Sequence, residues 1–226
     1  MEFNNQSEIK FLDISNQDLT ILPDLSGYTS LEHLNCSNNK LVQLHNLPDS
    51  LIKIECNNNN INNLDILPQK LVYLDCSHNQ ITSLDNLPSY LKDLYCNNNN
   101  IVALDKLPFG LINCECSEND IMCLDHLPPN LERLFCCFNQ IETLDHLPLS
   151  LKELDVMENL LTNLDHLPPD LEDLECSYNR ITQLDHLPQH ITYITAYGNM
   201  INSIDNIPSS VEYLDCGDNN IHEFNN

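Results

Sequence analysis

From Leu31 onward the chain returns to one order of apolar and polar residues every 20 positions, at Leu51, Leu71, Leu91, Leu111, Leu131, Leu151, Leu171, Ile191 and Val211. Ten such units follow one another without an insertion, and an eleventh, 22 residues long, starts at Ile9. Their consensus is L-x-x-L-x-C-x-x-N-x-I-x-x-L-D-x-L-P-x-x. Positions 1, 4, 6, 11, 14 and 17 are aliphatic or small almost throughout. Positions 4 and 6 alternate with polar 3, 5 and 7, which is the period of a half-buried strand. Each unit ends in Leu-Pro and has no 3.6-residue stripe, so no helix of useful length fits. One unit cannot bury six apolar positions alone, whereas stacking units in register gives them a continuous core. The pattern predicts a solenoid of eleven repeats, each with one short parallel strand, and little helix. A short extension, 1–8, precedes a single repeat domain, 9–226.

Position 9 is Asn in all ten regular units, from Asn39 to Asn219. An amide carries donors and an acceptor together, so it can satisfy backbone groups where the chain turns inside the stack. These residues read as scaffold. Eight of the 11 cysteines occupy position 6, where Val156 and Ala196 also occur. A site that accepts Val and Ala wants a small hydrophobe, which is how a buried free thiol behaves. Neither a disulfide framework nor a metal site is expected from that column, and Cys137, at position 7, is the thiol expected to be most exposed.

This pattern resembles the leucine-rich-repeat family, whose signature is L-x-x-L-x-L-x-x-N/C-x-L. Its short period and terminal Leu-Pro look most like the 20-residue bacterial-type class of the YopM and IpaH effectors, and related arrays occur in giant DNA viruses. The resemblance implies a gently curved solenoid, with strands on the concave face and extended, polyproline-like backbone on the convex side. It also implies a non-enzymatic module for protein–protein interaction. Departures from the class are the Cys at position 6 and an Asp in place of the first Pro of the effector-type L-P-x-L-P segment. No helical hairpin is expected before the repeats and no ligase domain after them. Cys216-Gly217-Asp218 has the C-x-D spacing of the ligase nucleophile, but Cys216 is the position-6 residue of the last unit.

Charge and composition narrow the partner. A formal charge of −25, from 34 acids and 9 bases, disfavours nucleic acid and anionic membranes, because both need a basic surface. A protein or peptide with exposed basic groups suits it better. No signal-peptide pattern opens the sequence, and no apolar run reaches the roughly 18 residues that span a bilayer. An intracellular, cytoplasmic location is therefore expected. No cofactor is implied, and no catalytic residue stands outside the consensus. His126, His146, His166 and His186 follow an Asp in four consecutive units. A metal ladder there is geometrically conceivable, yet the same position accepts Asn46, Ile66, Asn86, Lys106 and Asn206, which argues for repeat duplication.

In a solenoid the constant positions make the fold and the variable outward positions make the binding surface. Position 5 is acidic in seven of eleven units, Asp155 and Glu175 among them. Aromatic residues interrupt or flank that column, including Tyr73, Tyr95, Phe135, Phe138, Tyr178, Tyr193, Tyr197 and Tyr213. Cys137, Met157 and Leu160 lie near Phe135 and Phe138 in the repeat register. An apolar patch with a polar rim has the form of a binding hot spot. The predicted contact surface spans residues 133–200 on the concave face, carried by Phe135, Phe138, Met157, Tyr178, Tyr193, Tyr197, Asp155 and Glu175, with Tyr95 outside that span. Phe138, near the strand end, could instead fold back over the Asn column. Three alternatives remain. The strand edges at the two ends could pair in self-association, the chain could be a structural assembly protein, or it could recruit substrates to a ligase-type effector.

Overall fold

A computed structural model describes residues 6–222; Phe224, the predicted apolar residue of the last unit, and residues 1–5 of the short extension lie outside the described residues. Eleven parallel strands form one sheet in strict sequence order, β1 (Phe11–Asp13), β2 (His33–Asn35), β3 (Lys53–Glu55), β4 (Tyr73–Asp75), β5 (Asp93–Tyr95), β6 (Asn113–Glu115), β7 (Arg133–Phe135), β8 (Glu153–Asp155), β9 (Asp173–Glu175), β10 (Tyr193–Thr195) and β11 (Tyr213–Asp215). Every pair is parallel and joins like positions of neighbouring units, so Phe135, for example, lies beside Asp155. Among the described residues the one helical element is a 3-10 turn, Gln6–Glu8.

Each strand covers only positions 3 to 5. The middle residue points inward and is buried from β2 to β10, while its two neighbours face out. A strand of three residues has too few hydrogen bonds to persist alone, so stacking on its neighbours sustains it. Behind the sheet the position-1, 4, 6 and 11 side chains close into a core. Leu71, Leu74, Cys76 and Ile81 of a single unit are all 0% exposed. In the units that start at Leu31 through Ile191, the closing proline makes the return turn. Its carbonyl accepts the N–H of the next position 1, as Pro68 does from Leu71 at 3.2 Å, and its fixed φ suits extended backbone.

The asparagine column ties unit to unit. Asn79 Oδ1 accepts the Ile61 N–H at 2.9 Å, and its Nδ2 donates to Cys76 O at 3.0 Å and to Cys56 O at 3.1 Å. Each amide thus satisfies groups of its own unit and of the one before, and the pattern recurs through Asn219 with Ile201. Buried backbone groups left without partners would cost about 1–3 kcal/mol each, and an amide, carrying donor and acceptor together, spares both units that cost. The thiols behave as the sequence suggests. Cys36, Cys56, Cys76, Cys96, Cys116, Cys136 and Cys176 are buried and none is in a disulfide, and burial pushes the Cys36 thiol up to about 12.

Candidate functional site

The outward positions of the sheet form two parallel columns with one residue of each per strand. In the position-3 column Arg133, Glu153, Asp173, Tyr193 and Tyr213 succeed one another, and in the position-5 column Phe135, Asp155, Glu175, Thr195 and Asp215 do so. Four carboxylates, Glu153, Asp155, Asp173 and Glu175, therefore share β8 and β9. Arg133 holds the first of them, its Nε donating to Glu153 Oε1 at 2.9 Å. Asp155 accepts the Met157 N–H at 3.0 Å and the Cys137 thiol at 3.1 Å. Glu175 accepts the Ser177 N–H at 2.8 Å and the Thr195 hydroxyl.

Crowding shows in their proton affinities. Burial pushes the Asp155 carboxyl up, its two hydrogen bonds pull it back, and the charge of Glu175 adds to the rise. Asp173 is raised by burial and then by Glu153, Glu175 and Asp155. Cys137 is one of three half-buried thiols, with Cys123 and Cys216. Burial lifts its thiol to about 12, and that of Cys216 to about 11, so neither is a ready nucleophile.

The turn after each strand holds position 8 in the left-handed region. Phe138 has φ of 53° and Tyr178 of 55°, and every other unit has a positive φ there as well. Asn, which occupies Asn38, Asn58 and Asn98, tolerates this geometry, but a bulky aromatic side chain does so at a cost. Both rings point outward, 42% exposed in Phe138 and 50% in Tyr178. Phe138 thus does not fold back out of solvent.

Two glycines seat the neighbouring tyrosines. A Cβ on Gly198 would meet Tyr178 Cδ1 at 2.9 Å, and one on Gly217 would meet Tyr197 Cδ2 at 2.8 Å. Each ring lies across the glycine of the next unit in its own column. Tyr178 and Tyr197 meet edge to face with centroids 5.4 Å apart, and Tyr193 stacks on Tyr213 at 4.4 Å. The aromatic reading of the sequence did not find this seating, although two of the chain's four glycines fall directly after tyrosines in the same column.

The predicted residues do not all converge. Tyr178, Tyr193 and Tyr197 share the last units with Asp155 and Glu175, and Met157 is joined to Asp155 through its backbone. Phe135 sits between Glu115 and Asp155, and its ring and that of Phe138 lack aromatic partners among the described residues. Tyr95 belongs to another group, its ring 5.2 Å from Tyr73. On the far side, each of the four histidines stands beside the Asp of the preceding unit. His146 Nδ1 lies 2.8 Å from Asp125, His166 3.2 Å from Asp145 and His186 2.9 Å from Asp165, while His126 stands 3.8 Å from Asp105. Lys106 on Asp85 and Asn206 on Asp185 make the same link from one unit to the preceding one. Among the described residues no three His, Cys, Asp or Glu side chains are arranged to hold a metal ion. Nor is any helix long and apolar enough to cross a membrane.

Family models describe the repeats directly, "Leucine Rich repeats (2 copies)" over residues 69–109 and "Leucine Rich Repeat" over residues 30–54. YopM of Yersinia pestis, a solved leucine-rich effector protein, is 30% identical, and the match covers 93% of this chain and 72% of that one with a TM-score of 0.66. The chain belongs to the leucine-rich-repeat family, in its bacterial type.

YopM from Yersinia enterocolitica WA-314 is 34% identical with a TM-score of 0.81, over 92% of this chain and 51% of that one. The functional domain of InlJ from Listeria monocytogenes, described as including a cysteine ladder, is 28% identical with a TM-score of 0.74 over 97% and 56%. This leucine-rich-repeat chain therefore spans about half the length of these two proteins. No curated protein matches it by sequence.

Proposed function

We propose that this chain is a non-enzymatic recognition module that binds a protein or peptide with exposed basic groups through the concave, strand-bearing face of its last five units. The observation that carries this reading is the pair Phe138 and Tyr178, large aromatic side chains kept exposed at left-handed φ. The turn gives every unit this φ, so a bulky aromatic there bears a cost that its exposed ring does not recover by full burial. Beside them the Glu153, Asp155, Asp173 and Glu175 block supplies the charge that receives lysine or arginine. The Tyr193–Tyr213 stack offers a flat ring face on which a cation can rest. Aromatic anchors with a charged surround are the usual composition of a binding hot spot.

The test is an affinity capture from cell lysate at low and moderate salt. Wild type is run beside Phe135→Ala/Phe138→Ala and Tyr178→Ala/Tyr193→Ala variants whose thermal unfolding is unchanged. A salt-sensitive partner held by wild type and lost by the variants supports the reading. Equal capture by all three proteins overturns it.

A second reading rests on the outermost strands. Among the described residues β1 pairs only with β2 and β11 only with β10, and Phe11 and Tyr213 on them are 53% and 45% exposed. Unpaired strand edges invite pairing, so edge-to-edge self-association is the alternative. A monomer by light scattering at high concentration removes it.

A further inference from the structure

Where the chain enters the strands, the first half of the array carries a surface unlike the rest. Along position 2 the backbone forms a continuous hydrogen-bonded column. Val72 N donates to Ile52 O at 2.8 Å, Lys92 N to Val72 O at 2.8 Å and Ile112 N to Lys92 O at 2.9 Å. Those bonds place Ile52, Val72, Lys92 and Ile112 side by side. Tyr90 and Phe109, from the turns just before, are 66% and 73% exposed, and Ile52 is 42% exposed. Lys70, Val72 and Tyr90 line one open recess in this surface. Scattered single hydrophobes are ordinary, but exposed apolar side chains gathered on one rim mark an interaction surface.

The cations of this rim are without carboxylate partners. Of the nine Lys and Arg residues in the chain, six form ion pairs, namely Lys10, Lys40, Lys53, Lys106, Arg133 and Lys152. The other three, Lys70, Lys92 and Arg180, form none among the described residues. Among the described residues Lys70 has no carboxylate within ion-pair distance, and the Lys92 ammonium donates instead to the Gly110 carbonyl at 2.8 Å. In a chain with 34 acids, two ammonium groups without a carboxylate partner, one within this column and one beside it, are unexpected. The neighbouring acids are already engaged. Glu32 holds Lys10, Glu55 holds Lys53 and His33, and Asp93 takes the Asn113 amide. The same columns in later units carry Glu132, Asp170 and Glu172 instead.

We infer that this rim is a second docking surface, oppositely charged to the acidic face, and that it takes an extended peptide segment in which Asp or Glu alternates with Leu or aromatic residues. Carboxylates would meet Lys70 and Lys92, and the intervening apolar side chains would cover Val72, Tyr90 and Phe109. Four units at strand spacing measure roughly 15 Å, the reach of about five extended residues. The large negative charge of the rest of the protein repels such a segment elsewhere, so the lysines fix its place.

The probe is a fluorescein-labelled nonapeptide in which Glu and Asp alternate with Leu and Phe, followed by anisotropy against the whole chain. A counterpart with Lys at every acidic position serves as the opposite arm. Saturable binding of the acidic probe is expected, weakened about tenfold by Tyr90→Ala/Phe109→Ala and by Lys70→Gln/Lys92→Gln. It should be untouched by Phe135→Ala/Phe138→Ala. All variants are first shown to unfold at the wild-type temperature. If the acidic probe fails to saturate, or binds the rim variants as it binds wild type, the inference is overturned. The lysine probe separates this outcome from the proposed function, since its binding should respond to the Phe135/Phe138 variant and not to the rim variants.

Discussion

Repeats 3 to 6 and repeats 7 to 10 share one backbone and one interior, yet their outer surfaces have opposite chemistry. In both halves an asparagine amide bridges neighbouring units and a small side chain fills position 6. Outside, cations hold Glu55 and Asp85 in the first half, whereas among the described residues Asp155 and Asp173 in the second have none. Burial pushes the Glu55 carboxyl up, but hydrogen bonds from Lys53 and His33 outweigh it and leave the group lowered. A hydrogen bond from Lys106 lowers Asp85 likewise. In the second half Asp155 and Asp173 are raised instead, by burial and by the charges of nearby carboxylates, Glu175 for Asp155 and Glu153, Glu175 and Asp155 for Asp173. The frame therefore sets where residues stand, and the variable columns alone decide what they attract.

The largest test of that division acts on the shared frame. Asn99→Ala and Asn159→Ala each remove an acceptor and a donor that serve buried backbone, and each should lower stability by about 3 kcal/mol. Urea midpoints of the two should coincide; a harmless substitution in one half would mean the halves do not share a frame. Next in size is the thiol column. Cys76→Ser places a hydroxyl among aliphatic side chains and should cost about 2 kcal/mol. Cys76→Val should cost less, because Val156 already stands at that position, and thermal denaturation compares them.

A third test separates the surfaces. Phe138→Gly relieves a left-handed φ and should stabilise by about 0.5–1 kcal/mol, while removing the ring on which the proposed contact rests. Glu158→Gly is its control, with similar stabilisation and less effect on capture of a partner. The smallest effect is on pH dependence. Because the folded proton affinities of Asp155 and Asp173 are raised above the ordinary value of 3.8, the folded state binds more protons than the unfolded one just above that value. Their contribution is complete below about pH 4 and is lost as pH rises through the raised values. Asp155→Asn/Asp173→Asn should then stabilise at neutral pH and flatten the fall in stability above the ordinary value of 3.8. Glu55, lowered in the fold, behaves in the reverse way. Its stabilisation is present above the unfolded value and fades as pH falls, so Glu55→Gln should weaken the protein at neutral pH. Stability measured against pH decides both.

These contrasts also show how much could be read from the chain. Leu74, Cys76 and Asn79 announce their roles because each recurs at a fixed spacing, and recurrence in a solenoid is a statement about burial. The left-handed φ of Phe138 left no such trace, since the turn imposes it on Asn, Glu, His and Tyr alike. Tyr178 over Gly198 required two units to be set side by side before the glycine had meaning. The Lys70–Tyr90–Phe109 rim is harder still. It joins the end of one unit to the start of the next, so reading one repeat at a time scatters its members.

The asparagine bridges have one mechanical consequence. Each amide reaches only its own unit and the one before, so no bond of that column spans farther along the stack. Load applied between the two ends is therefore carried by the junctions in series, and the weakest yields first. A released unit of 20 residues frees roughly 65–70 Å of chain. Under tension the protein would lengthen in near-equal increments, each marking the rupture of one asparagine junction.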